Sequence, residues 1–365
     1  MNNNDNQKNL TDFFSLSKEE YKNKNYLKSL FFLQLFIKQH PNNSESYLLK
    51  GNIQYYLKKY SESIISYQKS IKINPNNPKV HNDLSFSYAK LNKYHTAIIV
   101  SHRAIELNPN YLDAYYNNGT YLMKIGSFNQ ALIYFNKLLK LDSNYNEAYF
   151  QKAYCLTNLE KYQEALNEIN FYITRTPNNI YSLFQKGYIL SKLKNFQDAI
   201  NTFNILLNID PNYFNAYFNK ALCYIEIKNY EKAIKNFSIV INNNNYDEIS
   251  LFKRAFCFIQ LNHYNHALID YNLILKNNPR NSTALYNKGL CLNKLNNYKE
   301  AKICFEKCIK LNSFNETYFH SLGSVYMKIG KNKEAIKMFD QEKKIKFIKQ
   351  SKSSINIFKN NNKIT

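Results

Sequence analysis

Cys155, Cys223, Cys257 and Cys291 are separated by multiples of thirty-four residues, and Cys304 and Cys308 stand four apart, on one face of the segment if it is helical. Thiolates ligate zinc and attack electrophiles, so this spacing raises a metal or redox question. A metal needs its ligands within a few Å of one ion. Equivalent places in successive helix pairs lie about 10 Å apart, too far for the four to converge. They read as small buried hydrophobes, which leaves Cys304 and Cys308 as the one pair open to redox or metal chemistry. His263 and His266 flank a bend where solvent contact is enough. No GxSxG, HExxH or phosphate-loop pattern occurs. The expectation is a chain without catalytic residues, metal or cofactor, and so not an enzyme.

The remaining chemistry is charge. Lys and Arg number 49 against 27 Asp and Glu, a formal net charge of +22. Such a balance favours acidic partners. Only four of the basic residues are arginine, however: Arg103, Arg175, Arg254 and Arg280. Nucleic-acid surfaces favour arginine, whose planar fork grips phosphates and base edges. Lys, Asn, Tyr, Ile and Phe are abundant and Trp is absent, the signature of AT-rich coding sequence. Nucleic acid is therefore not the expected partner. The opening MNNNDNQKNL is polar, and no apolar run approaches eighteen residues, so neither a secretory signal nor a transmembrane segment is expected. With no CxxC pair and no sign of a disulfide scaffold, an intracellular protein of the cytoplasm or nucleus is expected.

Something must position these residues, and it is periodic. Pro41, Pro75, Pro109, Pro177, Pro211 and Pro279 are spaced by thirty-four residues or a multiple, with Ser143, Asn245 and Ser313 at the missing places. A small column keeps the same step: Ala97, Ala131, Ala165, Ala199, Ala233, Ala267, Ala301 and Ala335, preceded by Ser29 and Ser63. A glycine-or-small column runs Gly51, Ser85, Gly119, Ala153, Gly187, Ala221, Ala255, Gly289 and Gly323. An aromatic column begins at Tyr26 and Tyr60 and ends at Tyr298. Small residues let two antiparallel helices approach, aromatics fill the wedge between them, and proline ends the second helix. One pair cannot bury its own apolar face, so pairs must stack.

These columns resemble the tetratricopeptide repeat, legible in one repeat as Tyr115, Gly119, Gly126, Phe128, Ala131 and Phe135. The resemblance implies an all-α, right-handed superhelical solenoid of about ten antiparallel helix pairs with a C-terminal capping helix. The repeats are expected at 10–43, 44–77, 78–111, 112–145, 146–179, 180–213, 214–247, 248–281, 282–315 and 316–349. Residues 1–9 are read as a disordered N-terminus and 350–365 as a polar flexible tail.

In this family the first helix of each repeat lines the concave groove. Its sixth residue reads Leu49, Asp83, Asn117, Gln151, Gln185, Asn219, Lys253, Asn287 and Ser321. That amide-rich column resembles the ladder in the repeat region of protein O-GlcNAc transferase, whose catalytic domain is absent here. The resemblance implies that Asn117, Gln151, Gln185, Asn219 and Asn287 hold a peptide main chain, since an amide offers donor and acceptor together. The fifth residues Tyr116, Phe150, Phe184, Phe218, Phe252 and Tyr286 are read as apolar anchors beside them. Phe86, Tyr154, Tyr188 and Phe256, at the ninth place, add rings. The carboxylate clamp of the chaperone-binding members needs a first lysine where this chain carries Leu48, Tyr116, Phe150, Phe184, Phe218 and Phe252, and the sixth position offers no arginine. That role is not expected. Lys50, Lys152, Lys186, Lys220, Arg254 and Lys288 precede the small column and form a basic edge, read first as solvated and second as a track for an acidic partner.

The expected function is a non-catalytic scaffold that binds extended or helical segments of a protein partner. The alternatives are a regulatory or substrate-targeting subunit of an enzyme acting in trans, and a polyanion binder working through the lysine edge.

Overall fold

The structure, a computed structural model, describes the backbone of residues 3–244 and 247–361 and the side chains of 13–244 and 247–351. Every element among them is a helix. The chain divides into two compact units, Met1–Ile189 and Leu190–Thr365.

The first unit contains α1 (Asn3–Lys22), α2 (Tyr26–Gln39), α3 (Ser44–Tyr56), α4 (Tyr60–Ile73), α5 (Pro78–Lys90), α6 (Tyr94–Leu107), α7 (Leu112–Lys124), α8 (Phe128–Leu141), α9 (Asn146–Asn158) and α10 (Tyr162–Arg175). The division falls inside α11 (Ile180–Lys192). The second unit continues with α12 (Phe196–Ile209), α13 (Phe214–Glu226), α14 (Tyr230–Asn243), α15 (Glu248–Gln260), α16 (Tyr264–Asn277), α17 (Ser282–Lys294), α18 (Tyr298–Leu311), α19 (Glu316–Lys328) and α20 (Asn332–Asn361). Within each unit the helices pack as antiparallel pairs, each pair against the next.

Local chemistry explains these boundaries. Asn43, Asn77, Asn281 and Asn315 cap α3, α5, α17 and α19 by accepting from the N–H groups of Ser46, Lys79, Ala284 and Thr317. The turn inside each pair passes through the left-handed region. Gly126 and Gly330 occupy it without steric cost, whereas Lys58, Asn92, Glu160 and Lys228 hold φ near +60° in other repeats. Each repeat proline stands two residues beyond the end of a second helix, as Pro109 does after α6. It can neither donate an N–H nor continue the helix.

The small columns are where the helices meet. Ala97, Ala131, Ala165, Ala233, Ala267 and Ala301 are fully buried. In the first two repeats serine takes that place and its hydroxyl is satisfied. Ser29 Oγ donates to the Ser17 carbonyl at 2.7 Å, and Ser63 Oγ to the Tyr60 carbonyl at 2.7 Å. Gly119 lies against the ring of Phe135, and a Cβ there would stand 2.5 Å from its Cζ. Phe135 is fully buried, as are Phe203, Phe237 and Phe305 at the equivalent place.

The cysteines follow the same logic. All six are buried free thiols. Burial pushes the Cys155, Cys257 and Cys308 thiols up to about 12, which disfavours the reactive thiolate.

The ends differ from the sequence expectation. α1 begins at Asn3, within the segment read as disordered, and α20 runs on through the segment read as a flexible tail as far as Asn361. No proline or glycine stands in either stretch to stop the helix. The remainder of both segments, residues 1–2 and 362–365, lies outside the described residues. No described helix is long and apolar enough to cross a membrane.

Candidate peptide-binding surface

The first helices α3, α5, α7, α9, α13, α15, α17 and α19 present the fifth and sixth residues of their repeats. In the first unit these residues bond from one repeat to the next. Asn117 Nδ2 donates to Asn82 Oδ1 at 2.8 Å, and Gln151 Nε2 donates to the Tyr116 hydroxyl at 3.1 Å. In the second unit the Ser321 and Tyr286 hydroxyls meet at 3.2 Å. Each bond joins a sixth residue to the fifth residue of the preceding repeat, thirty-five positions earlier. Part of the amide capacity assigned to a peptide thus holds neighbouring repeats in register.

The amides are not equivalent. Asn117 is buried, whereas Gln151, Asn219 and Asn287 are half-buried and reachable. Asn219 Nδ2 donates to the Asn215 carbonyl of its own helix at 2.8 Å, which leaves its oxygen as acceptor. Gln185 is buried, and neither its nitrogen nor its oxygen has a hydrogen-bond partner among the described residues. Leu49 belongs to the core with Leu33 and Ile53, and Lys253 is exposed.

The fifth-position rings also divide their surface. Tyr116 meets Phe135 with ring centroids 6.1 Å apart, Phe218 meets Phe237 at 5.7 Å, Phe252 meets Tyr271 at 5.9 Å and Tyr286 meets Phe305 at 5.8 Å. Phe150 meets Tyr172 at 5.3 Å. One side of each ring therefore wedges its own helix pair. The fifth-position rings Tyr116, Phe150, Phe184, Phe218, Phe252 and Tyr286 are themselves half-buried. Tyr154 and Phe256, at the ninth position, are more exposed than the fifth-position rings.

The basic edge is not the uniform row that the sequence suggested. Arg254 makes a bidentate pair with Asp270, Nη2 to Oδ1 at 2.6 Å and Nε to Oδ2 at 3.0 Å, and its Nη1 donates to the Ser238 hydroxyl. Lys152 pairs with Glu168 at 2.8 Å. In both cases the acid stands sixteen residues on, across the helix pair. These two charges are spent inside their own repeats. Lys50, Lys186, Lys220 and Lys288 are half-buried, and burial, reinforced by nearby Lys232, lowers the proton affinity of Lys220.

A site outside the expected region lies in the first unit. Tyr21, Asn52, Tyr55, Tyr56, Tyr67, Lys79, Asp83 and Phe86 line a cavity of about 370 Å³. Asp83 and Phe86 stand in the sixth- and ninth-position columns, but the tyrosines belong to neither and meet only in the packed structure. The available signal was Asp83 itself, the one acid in a column of amides.

Sequence models of the tetratricopeptide repeat match residues 51–92, 180–213, 202–235, 282–315 and 318–350. The chain is a tetratricopeptide-repeat protein. A model of the anaphase-promoting complex, cyclosome, subunit 3 matches residues 90–172. No curated protein matches the chain. Among solved structures, the C-terminal part of a tetratricopeptide-repeat protein from Cytophaga hutchinsonii is similar at 18% identity, covering 66% of this chain and 98% of that one, with a TM-score of 0.57. A tetratricopeptide-repeat protein from Parabacteroides merdae is similar at 15% identity over 68% of this chain and 98% of its own, with a TM-score of 0.51. PilW, a type IV pilus biogenesis factor, is 21% identical over 56% of this chain and 94% of its own, with a TM-score of 0.50. At these identities the likeness is one of fold. As a tetratricopeptide-repeat protein, the chain is built as a scaffold for binding protein or peptide.

Proposed function

We propose that this scaffold grips the main chain of an extended partner segment through the sixth-position amides of its first helices. Each unit grips its own stretch of main chain, the first through Gln151 and the second through Asn219 and Asn287. The observation that carries the reading is the partial satisfaction of these amides. The Gln151 nitrogen is steered by the Tyr116 hydroxyl, and the Asn219 nitrogen by its own helix. Each amide oxygen is left, already oriented, to accept a peptide N–H. Groups fixed before binding lose less freedom on binding. The half-buried outer sides of Tyr116, Phe150, Phe184, Phe218, Phe252 and Tyr286 supply apolar contact beside them. Asn117 and Gln185 contribute more to the stack than to the partner, because both are buried. The reading treats residues 10–349 as ten repeats, supported by first helices that start at Ser44, Pro78 and every thirty-fourth residue to Glu316. The likeness of the amide column to that of protein O-GlcNAc transferase points to the same sequence-tolerant grip.

The test is capture of partners from the source cell by the wild type, by a Gln151→Ala/Asn219→Ala/Asn287→Ala variant and by a Lys50→Glu/Lys288→Glu variant. All three must show equal helicity and melting. Loss of a discrete partner set only with the amide variant is expected, and a backbone N-methylated peptide from that partner should bind at least tenfold more weakly. Unchanged capture by the amide variant sinks the assignment. Loss confined to the lysine variant moves the site to the basic edge.

A further inference from the structure

The cavity of the first unit has a composition that the peptide grip does not explain. Its walls are aromatic. Tyr26 stacks on Tyr56 with ring centroids 5.2 Å apart and planes within 1°, and Tyr21 meets the edge of Tyr56 at 5.9 Å. Tyr55 meets the edge of Tyr56 at 5.7 Å and approaches Phe86 at 6.4 Å. The Tyr67 hydroxyl is committed, donating to Asn52 Oδ1 at 2.7 Å.

Asp83, on α5, is the one acid in the lining. Among the described residues no donor hydrogen-bonds to its carboxylate and no cation pairs with it. Lys79, one turn earlier on the same helix, is exposed on the cavity wall and acts on the carboxylate only at longer range. Burial pushes the Asp83 carboxyl up to about 6, with Lys79 opposing and Asp113 adding to the rise. The folded protein thus holds a partly desolvated negative charge against tyrosine faces, at a stability cost that the longer-range pull of Lys79 offsets only in part.

A carboxylate beside stacked electron-rich rings is complementary to a cation with an apolar stem. The rings attract it through their quadrupoles, the carboxylate supplies the counter-charge, and the walls cover the methylenes. At about 370 Å³ the cavity is within the range that holds small ligands. We propose that this cavity binds the alkylammonium side chain of a lysine on the bound protein partner. The proposal rests on the scaffold reading and adds to it a specificity pocket in the first three repeats, separate from the amides of the later ones. The net charge of +22 repels cations at long range, so the preference must come from contact within the pocket.

The experiment uses the full chain and short probes, Ac-Gly-Ser-Xaa-Ser-Gly-amide, with lysine, trimethyllysine, arginine or norleucine at Xaa. Binding is followed by saturation-transfer and line-shape NMR of the peptide. The lysine peptide should bind at least tenfold more tightly than the norleucine peptide, and Asp83→Asn should erase that difference. Tyr56→Leu, which removes an exposed ring but keeps apolar volume, should reduce the preference several-fold. Lys79→Gln should strengthen lysine binding by removing the nearest competing cation. Equal binding of norleucine and lysine, or an unchanged preference in Asp83→Asn, overturns the pocket. Tighter binding of arginine than of lysine overturns the assignment to an ammonium head. Trimethyllysine binding retained in Asp83→Asn would show rings acting without the carboxylate and would also overturn the proposal as stated. These probes need no natural partner. Their failure leaves the amide grip standing, and failure of the amide variants leaves the lysine preference measurable.

Discussion

Replacing Asp83 by asparagine should make the protein more stable at neutral pH, because the wild type keeps a charge where the fold does not favour one. The carboxyl rises from 3.8 to about 6 in the folded chain, chiefly because it is desolvated. Tyr21, Tyr55, Tyr56, Tyr67, Tyr111 and Tyr121 surround it, Asp113 repels its charge, and Lys79 is the one cation acting on it. A folded state that binds the proton more tightly than the unfolded state has its full stability below the unfolded value. It loses that stability as pH rises through about 6. The interval corresponds to at most about 3 kcal/mol, and partial exposure of the carboxylate reduces this to about 1–2 kcal/mol. An uncharged isostere avoids the loss. The assay is a pair of urea melts, wild type and Asp83→Asn, at pH 4.5 and at pH 7.5, with hydrogen exchange of α3 and α5 reporting on the affected repeats. Stability in an array is carried by each repeat and its neighbours, so the local probe matters. The variant should gain about 1–2 kcal/mol over wild type at pH 7.5 and about a third of that at pH 4.5, which lies just above the unfolded value. A difference independent of pH, or a variant less stable at pH 7.5, refutes the reasoning.

Other expectations follow from the packing. Arg254→Met leaves the Asp270 carboxylate buried and unpaired, and should cost about 3–5 kcal/mol in thermal melts. Burial raises the proton affinity of Asp270 against the pull of Arg254, so the single variant should recover stability as pH falls, and Arg254→Met/Asp270→Leu should regain most of it at neutral pH. Asn117→Ala strands the Asn82 oxygen in a buried site and should cost about 1–3 kcal/mol in urea melts. Gly119→Val forces branched carbon into the Phe135 ring and should cost about 1–3 kcal/mol, with hydrogen exchange of α7 and α8 accelerated first. Glu160→Gly, at a turn with φ of 59°, should be neutral or stabilise by about 0.5–1 kcal/mol, an unusual sign for a glycine substitution.

The sequence by itself determined the helix pairs, their turns and the fold class. Those features depend on residues close in the chain and recur every thirty-four positions: a proline after six of the second helices, a small residue opposite a large one, an aromatic at the start of every second helix but the last. In a repeat protein each layer contacts mainly its neighbours, so local pattern and tertiary packing carry the same information. The burial of the four column cysteines was legible for that reason. Tertiary structure decided how the remaining polar capacity is used. A column such as Asn117, Gln151 and Ser321 reveals a shared face. Whether each donor points to solvent or to a residue thirty-five positions back depends on side-chain rotamers and on which group the preceding repeat supplies. The pairing of Lys152 with Glu168 and of Arg254 with Asp270, which removes two members from the basic edge, was equally hidden, because it couples two columns that look independent when each is considered alone. The Asp83 pocket lies furthest from sequence. Its rings come from four helices, and only packing brings them around a carboxylate left without a partner of its own.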